Sequence, residues 1–405
     1  MGIDMARKTL KAYMLRLQLQ AIEPIELDEH PGSALRGAFF RALWGRFCAR
    51  QEEKTCAACP LVQACPVSAL VAPLRDEHPR GRDIPRPFVL APPEFPTREE
   101  QAKHLAALAA HGKPFASYFP ASGYERLSWG ARVEPEGSFS FGLTIFGTMV
   151  KLLPYVVQSA LVMEAWGVGR PLRENGGRRG RFQVERIALV DPFGGRTQAL
   201  YQRGTPRVAK PELAITARQV RARARRLPTD ELTLHFLTPT RLIATGQLIH
   251  HPHLPTLVAR LTERFDALTH EYGEYGEYGE DGEDEADGAR ISDSLPESPV
   301  NESAKTGSLA GNMVETDEDD PRRRAKALLE AASHIQLAED ETRWKDVASY
   351  SSRQRRATPI GGFVGRAVYA GEFPLALREL LVWGEALHVG KNVVKGDGLY
   401  RIAVG

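Results

Sequence analysis

The sequence predicts an α+β protein built from two tandem domains with the same order of elements. Its 405 residues suit two domains, and 42% hydrophobic with 26% charged residues is typical of a globular protein. The apolar residues follow the period of a strand or of a helix in the order β-α-β-β-α-β, and this order occurs twice. Each half therefore matches the ferredoxin-like (RRM-like) split βαβ unit. Because that unit hosts many functions, the fold class alone predicts none.

In the first domain, residues 1–227, the opening strand alternates apolar and polar residues over 13–21. A Pro-Gly-Ser turn at Pro31 then leads into a helix whose apolar face includes Leu35 and Phe39. Later segments show the same two periods. They predict strands over 127–133 and 139–145, a helix over 152–163 and a last strand over 182–190.

The second domain, residues 228–405, repeats this order, although its second and third strands have weak patterns. The predicted elements are a strand over 232–242, a helix over 254–268, strands over 344–350 and 362–369, a helix over 375–387 and a last strand over 399–404. A helical pattern over 325–337 also fits the insertion that interrupts this domain.

That insertion is the acidic segment 271–320, which begins with three Glu-Tyr-Gly repeats and carries 17 acidic and 2 basic residues. Its few apolar residues cannot offset the entropy cost of ordering, which predicts a disordered segment. The alternative is an RNA mimic that fills a basic cleft. Because the whole chain has a net charge of +2, the remainder carries +17 and favours a polyanionic partner.

The four cysteines of the chain cluster between positions 48 and 65. Without a secretion signal, such a cluster is typical of a metal site rather than of disulfides. Four thiolates can close a tetrahedral zinc site or hold an iron–sulfur cluster, and a closed site would be structural. The alternative is four reduced, buried thiols. The predicted ligands are Cys48, Cys56, Cys59 and Cys65.

Arginine and lysine concentrate in two glycine-rich stretches, one at 167–181 and one at 390–398. Glycine lets the backbone approach a ligand closely, and arginine pairs with phosphates and stacks on bases. The alternatives are ordinary turns and a solvated connector between the domains. Three more arginines, at 353, 355 and 356, lie just before the C-terminal glycine-rich block and support the same prediction. The predicted nucleic-acid-binding residues are Arg170, Arg178, Arg179, Arg181, Arg353, Arg355, Arg356, Gly390, Lys391, Lys395, Gly396 and Gly398.

Several stretches resemble one known family. Residues 361–365, 387–391 and 396–400 are similar to the end of the CRISPR-associated RAMP endoribonucleases that process precursor crRNA, the sixth numbered Cas family. The resemblance extends to 32–37, the cysteine cluster, 180–182 and 237–241. It covers both halves and leaves out only the acidic segment. It also adds Arg36 to the predicted RNA-binding residues.

The resemblance implies cleavage without a catalytic metal. The ribose 2′-hydroxyl attacks the adjacent phosphorus and leaves a cyclic phosphate and a 5′-hydroxyl. Histidine suits the proton transfers, and lysine or arginine suits the developing charge. Members of the family commonly place a histidine near their first helix, a position that His30 matches. His388 is a second candidate and is otherwise structural, and Lys391 is the predicted catalytic cation.

The predicted function is cleavage of precursor crRNA within its repeats, with retention of the product. The expected partners are CRISPR repeat RNA and other Cas effector subunits. Two alternatives stay open: a non-catalytic RAMP scaffold that binds crRNA in an effector complex, and a metal-stabilised regulator that binds DNA. The first ten residues have no apolar core and no long apolar run follows, so we expect a cytoplasmic protein without a membrane partner.

Overall fold

The computed structural model of the chain describes residues 8–53, 55–74, 84–97, 99, 119–205, 207–275, 321–351 and 356–403. The described helices are α1 Pro31–Phe47, α2 Pro66–Val71, α3 Leu153–Trp166, α4 Ala217–Ala224, α5 Leu254–Tyr272, α6 Pro321–Ser333 and α7 Leu375–Leu387. Short 3-10 turns span Cys56–Ala58, Gly147–Leu152 and Val393–Lys395. None of these helices combines the length and the apolar character that a membrane crossing requires.

The strands of the first half are β1 Lys8–Thr9, β2 Ala12–Ala21, β3 Ile25–Asp28, β4 Phe88–Ala91, β5 Ala121–Leu127, β6 Gly130–Phe146, β7 Val168–Leu172, β8 Arg178–Gly180, β9 Phe182–Val190 and β10 Thr197–Gln202. Those of the second half are β11 Glu231–Thr240, β12 Leu242–Ala244, β13 Gln247–Ile249, β14 Glu274–Tyr275, β15 Gln336–Lys345, β16 Ala348–Ser351, β17 Arg356–Pro359, β18 Gly362–Ala370 and β19 Tyr400–Ile402.

The first sheet has the order β10-β9-β2-β6-β3, and β4 and β5 also pair with β6, all antiparallel. The helix α1 follows β3, and α3 connects β6 to β9. One prediction is wrong in detail, because the strands expected at 127–133 and 139–145 are a single 17-residue strand, β6. The second strand of the predicted unit is instead supplied by β4 and β5, which pair with β6.

The second sheet has the order β15-β18-β11-β19, again antiparallel. The helix α5 follows β11, and α7 connects β18 to β19. The α+β class and the repeated β-α-β-β-α-β order are therefore confirmed. The strand predicted at 344–350 instead runs over Gln336–Lys345, and the helical pattern at 325–337 corresponds to α6, which ends at Ser333.

The acidic segment begins later than predicted. Glu271 and Tyr272 close the helix α5 and are 7% and 3% exposed, and the Tyr272 hydroxyl donates to the carbonyl oxygen of Pro85 at 2.5 Å. The next residues form β14, which pairs with β1. Residues 276–320, where disorder is expected, lie outside the described part of the chain.

The two halves share one hydrophobic core cluster, which includes Leu15 and Phe141 of the first sheet and Leu234 and Phe363 of the second. A buried arginine adds a polar link between them. Arg378 of α7 donates 2.9 Å hydrogen bonds to the carbonyl oxygens of Ala224 and Leu227, at and just after the end of α4, and a further bond to that of Phe373. The guanidinium thus satisfies carbonyls that the end of α4 leaves without helical partners.

We expect the substitution R378M to lower the free energy of unfolding by about 2–4 kcal/mol, because it removes charged hydrogen bonds from buried carbonyls. The measurement is urea-induced unfolding. The matched control is E379Q, which breaks the 2.7 Å ion pair of Glu379 with the exposed Arg221 and should cost less than about 1 kcal/mol. Equal effects of the two substitutions would contradict this structural role of Arg378.

Candidate active site

A glycine-rich loop, residues 388–399, connects α7 to β19. It is held at its start by Arg264, which donates to the carbonyl oxygen of Leu387 at 2.8 Å and lies over the ring of Phe146 in the first domain. Gly398 has a φ of 71°, and a side chain there would overlap the carbonyl group of Val389. The loop therefore folds back tightly on itself, and only glycine fits at this position.

The loop packs against the first domain at the start of α1. Gly32, in the first turn of that helix, lies so close to the carbonyl oxygen of Lys395 that a Cβ atom would collide with it. Gly396 in turn lies against Leu90 and Pro92, at the end of β4. Close backbone approach between the domains thus places the loop over the residues that precede α1.

His30 immediately precedes α1 and contacts this loop directly. Its Nε2 atom is hydrogen-bonded to the Oδ1 atom of Asp397, and its Nδ1 atom lies 3.0 Å from the Oγ atom of Ser33. His30 is 7% exposed and Asp397 is fully buried. Burial raises the pKa of Asp397, and the hydrogen bond with His30 opposes that shift. The pair joins residues 367 positions apart in the sequence.

Lys395 interacts with Asp397 of this pair, and Arg36 and Arg86 interact with Lys395; we call these three cations the basic cluster. Burial lowers the pKa of Lys395, and repulsion by Arg36 and Arg86 lowers it further, whereas Asp397 raises it. Arg86 is held by a 2.7 Å hydrogen bond to the carbonyl oxygen of Val71. A histidine beside such a cluster can transfer a proton next to a bound anion whose charge the cluster stabilises.

The sheet of the second domain also contacts the residues that precede α1. The Nζ atom of Lys345, at the end of β15, lies 3.5 Å from the carboxylate of Glu29, which precedes His30. On the loop itself, Lys391 is exposed, and its backbone N–H donates to the carbonyl oxygen of Arg241 at 3.1 Å. Residues of both domains therefore define the position of His30.

The predicted arginines of the first domain lie on and around the hairpin β7–β8, beside α1. Arg170 stacks on the ring of Trp129 at 3.9 Å, and Arg181 forms hydrogen bonds of 2.8 and 3.0 Å with Glu23. Arg179 is close enough to Arg41 of α1 to lower its pKa, an effect that adds to that of burial. The helix α1 thus contacts the glycine-rich loop at one end and this hairpin further along.

The remaining predicted arginines are less informative. Arg178 lies 3.6 Å from Glu23 and is exposed. Arg353 and Arg355 lie outside the described residues, and Arg356 is placed by the pairing of β17 with β16. Nothing in the described geometry connects them to His30.

The catalytic role predicted for His388 does not fit its position. The side chain is 2% exposed, and burial together with the nearby Arg401 and Arg264 lowers its pKa to about 3. Its Nδ1 atom lies 3.2 Å from the carbonyl oxygen of Asp397. A neutral, enclosed imidazole of this kind anchors the loop, which is the structural alternative for this residue.

The four cysteines lie at the end of α1, in the following 3-10 turn and at the start of α2. Burial raises the pKa of Cys56, and Cys65, Cys48 and Cys59 raise it further, so the four thiols are near one another. Within the described residues, no group of three or more His, Cys, Asp or Glu side chains is arranged to hold a metal ion. Metal binding by these donors stays a prediction.

Sequence reasoning missed Asp397, Arg86 and Ser33. Asp397 carried a usable signal, because a carboxylate between two glycines in a lysine-bearing loop is an unusual choice for anion binding alone. Arg86 carried none, since only the packing of β4 against the loop brings it to Lys395.

Two family models match separate parts of the chain. Residues 10–213 match a family model described as an N-terminal domain, and residues 234–400 match the model of the CRISPR-associated endoribonuclease Cas6. No curated protein sequence matches the chain.

The chain is also similar to several solved structures. The chain is similar to Cas6 (TTHB231) of Thermus thermophilus, with 14% identity and a TM-score of 0.44 over 98% of this chain and 100% of that one. The chain is also similar to the product complex of Cas6 (TTHB231), with 15% identity and a TM-score of 0.46 over 97% of this chain and 100% of that one. A chain of a partial Cas6-RT-Cas1–Cas2 complex is 10% identical, with a TM-score of 0.47 over 98% of this chain and 46% of that one.

The Cas6 model covers the second half from β11 into β19 and includes the whole glycine-rich loop. Residues 234–400 therefore form a domain of the CRISPR-associated endoribonuclease Cas6 family, which supports an RNA-cleaving protein with a role in CRISPR RNA processing.

Proposed function

We propose that this protein cleaves precursor crRNA within its repeats through attack of a ribose 2′-hydroxyl, without a catalytic metal, and retains the crRNA product. The observation that supports this most is the meeting of His30, Asp397 and the basic cluster where the glycine-rich loop packs against α1. A titratable group and three cations in one place are what a phosphodiester cleavage of this type requires.

In the proposed reaction, the 2′-oxygen forms a bond to phosphorus, and the bond between phosphorus and the 5′-oxygen breaks. His30 accepts the proton of the 2′-hydroxyl, and the departing 5′-oxygen takes a proton from water, whose hydroxide then removes the proton from His30. Arg36 and Lys395 stabilise the charge on the phosphorane, and Lys391, which is exposed on the same loop, adds to this positive charge. The products are a 2′,3′-cyclic phosphate and a 5′-hydroxyl.

Retention of the product follows from charge. Cleavage converts one phosphodiester into a cyclic one and so leaves the number of phosphate charges unchanged. The arginines of the β7–β8 hairpin and the basic cluster therefore keep their attraction for the phosphates of the product strand that remains in contact with them. Arg170 over Trp129 offers a planar surface on which an unpaired base can stack.

We also propose that the four cysteines hold a structural zinc ion or iron–sulfur cluster. The support is the donor set and the mutual influence of the four thiols. Cys48 directly follows α1 and Cys65 directly precedes α2, so a bound metal would tie these two helices together. The group has no part in the cleavage steps above.

Incubation with repeat RNA in EDTA tests the cleavage proposal. We expect one cut ending in a cyclic phosphate, and H30A should lower the single-turnover rate by about 10²–10⁴-fold, the usual contribution of general acid–base catalysis. The matched control is H334A, since His334 is exposed between α6 and β15. Cleavage by H30A at the wild-type rate would contradict the role of His30.

The same assay separates the alternatives. Binding of the RNA without cleavage would indicate a crRNA scaffold within a complex of Cas subunits, and preference for duplex DNA would indicate a regulator.

A second prediction concerns RNA binding. We expect the double variant R170A/R179A to weaken binding of repeat RNA and to reduce the slope of log K against log salt, by about 0.7 for each phosphate that the variant no longer neutralises. Filter binding at several salt concentrations measures both. R196A is the control, because Arg196 pairs with Asp191 beyond the far end of β9. An unchanged slope in R170A/R179A would place the RNA elsewhere.

A third prediction concerns the cysteines. We expect elemental analysis of the purified protein to find zinc or iron, and C56S/C59S to lose it and to lower the melting temperature by several degrees, because a metal cross-link between α1 and α2 is removed. The cleavage rate per folded molecule should not change. Protein without metal, and with an unaltered melting temperature in the variant, would refute this proposal.

A further inference from the structure

Asp397 is a buried carboxylate in the middle of the glycine-rich loop, and none of the proposed reaction steps uses it. It lies between Gly396 and Gly398, which the sequence assigned to RNA binding, yet its own side chain is fully buried and faces the first domain. Burying a carboxylate is costly unless its partners compensate. The partners of Asp397 therefore indicate what this residue does.

The backbone around Asp397 is fixed on both sides. The N–H group of Gly398 donates to the carbonyl oxygen of Pro239 at 3.1 Å, and its carbonyl oxygen accepts from Val389 at 3.0 Å. The carbonyl group of Asp397 itself is engaged by the ring of His388. The direction of the carboxylate is thus set by the second domain before any RNA binds.

The charged groups that face the His30–Asp397 pair come from several elements. Lys395 and the side chain of Asn392 approach Asp397 from the same loop, and both favour its ionised form. Arg36 approaches from α1 and Arg86 from the segment before β4, through their interaction with Lys395. Burial has the largest effect and raises the pKa of Asp397, whereas the hydrogen bond with His30 and these positive groups oppose that shift and stabilise the ionised carboxylate.

An ionised carboxylate only accepts hydrogen bonds, so the Nε2 atom of His30 carries the proton in this contact. The lone pair of the neutral ring then lies on Nδ1, where the hydroxyl of Ser33 donates to it at 3.0 Å. Ser33 is half-buried, and its hydroxyl occupies the place that an incoming hydroxyl donor needs. A ribose 2′-hydroxyl can replace it as the donor to Nδ1.

We propose that Asp397 is a positioning residue for RNA cleavage: through Nε2 it holds His30 in the tautomer whose Nδ1 accepts the proton of the 2′-hydroxyl. The inference rests on the proposed role of His30 and extends it. Because Asp397 belongs to the glycine-rich loop, the second domain, which binds RNA through that loop, also sets the reactive form of a histidine in the first domain.

The test separates rate from affinity in D397N, which keeps the shape of the side chain and removes its charge. We expect the single-turnover rate to fall by about 100-fold or more, as for other histidines that lose an orienting carboxylate, with the Kd for repeat RNA within about twofold of wild type. D191N is the matched control, since Asp191 is also buried, at 3%, but lies beyond β9. It should leave the rate unchanged.

A double-mutant comparison distinguishes positioning from a merely structural role. In the H30A background, D397N should cause no further loss of rate, because Asp397 acts through His30. An equal loss in both backgrounds, or a Kd that rises with the fall in rate, would overturn the proposal. If H30A is slow while D397N cleaves like wild type, positioning by Asp397 is wrong and the proposed function stands. If H30A itself is fast, the role of His30 fails first.

A measurement on the wild-type protein keeps the proposal testable even if D397N does not fold. In protein labelled with 15N-histidine, the ring nitrogen shifts report which nitrogen is protonated, and the signal of His30 is the one that H30A removes. We expect the proton on Nε2. A neutral His30 protonated on Nδ1 would overturn the assignment.

Discussion

The close approach of the glycine-rich loop to the start of α1 is the constraint on which the site depends. A backbone carbonyl of one domain, that of Lys395, lies over a helix residue of the other, Gly32, with no room for a Cβ atom between them. Only at this separation can the buried pair of His30 and Asp397 form. Close packing in proteins transmits even small displacements, so any change that opens this interface would also move the histidine.

Buried ionised groups concentrate in the same part of the second domain. Arg264 is enclosed between the end of α7 and Phe146, and burial lowers its pKa to about 10. Glu385 accepts from the N–H group of Ile402 and pairs with Arg223, which also donates to the carbonyl oxygen of Ile402. Such groups stabilise little against a well-packed apolar core, but removing one partner is costly. These groups therefore hold the loop in one geometry and add little to the free energy of unfolding.

Much of this arrangement could be predicted from the sequence, and the exceptions have physical causes. The helix 375–387 and the strand 182–190 were predicted with their observed bounds, because both carry regular apolar spacing that burial requires. The strand β15 was largely missed, since it is an edge strand with mostly exposed, charged residues and no alternation. Tyr272 was assigned to the acidic repeat although its ring is buried, because the repeat hides the end of the helix.

His30, Lys395 and the flanking glycines could be identified as candidates one by one. Their meeting, and the part of Asp397, depend on tertiary packing that no local pattern encodes.

The length of α1 has a consequence of its own. With a rise of about 1.5 Å for each residue, the eleven residue steps from His30 to Arg41 span about 16 Å. The helix thus fixes the distance between His30 and the arginines at the hairpin. Inserting one residue into this interval would turn one end by about 100° relative to the other, so the helix resists changes of length even where its individual side chains can vary.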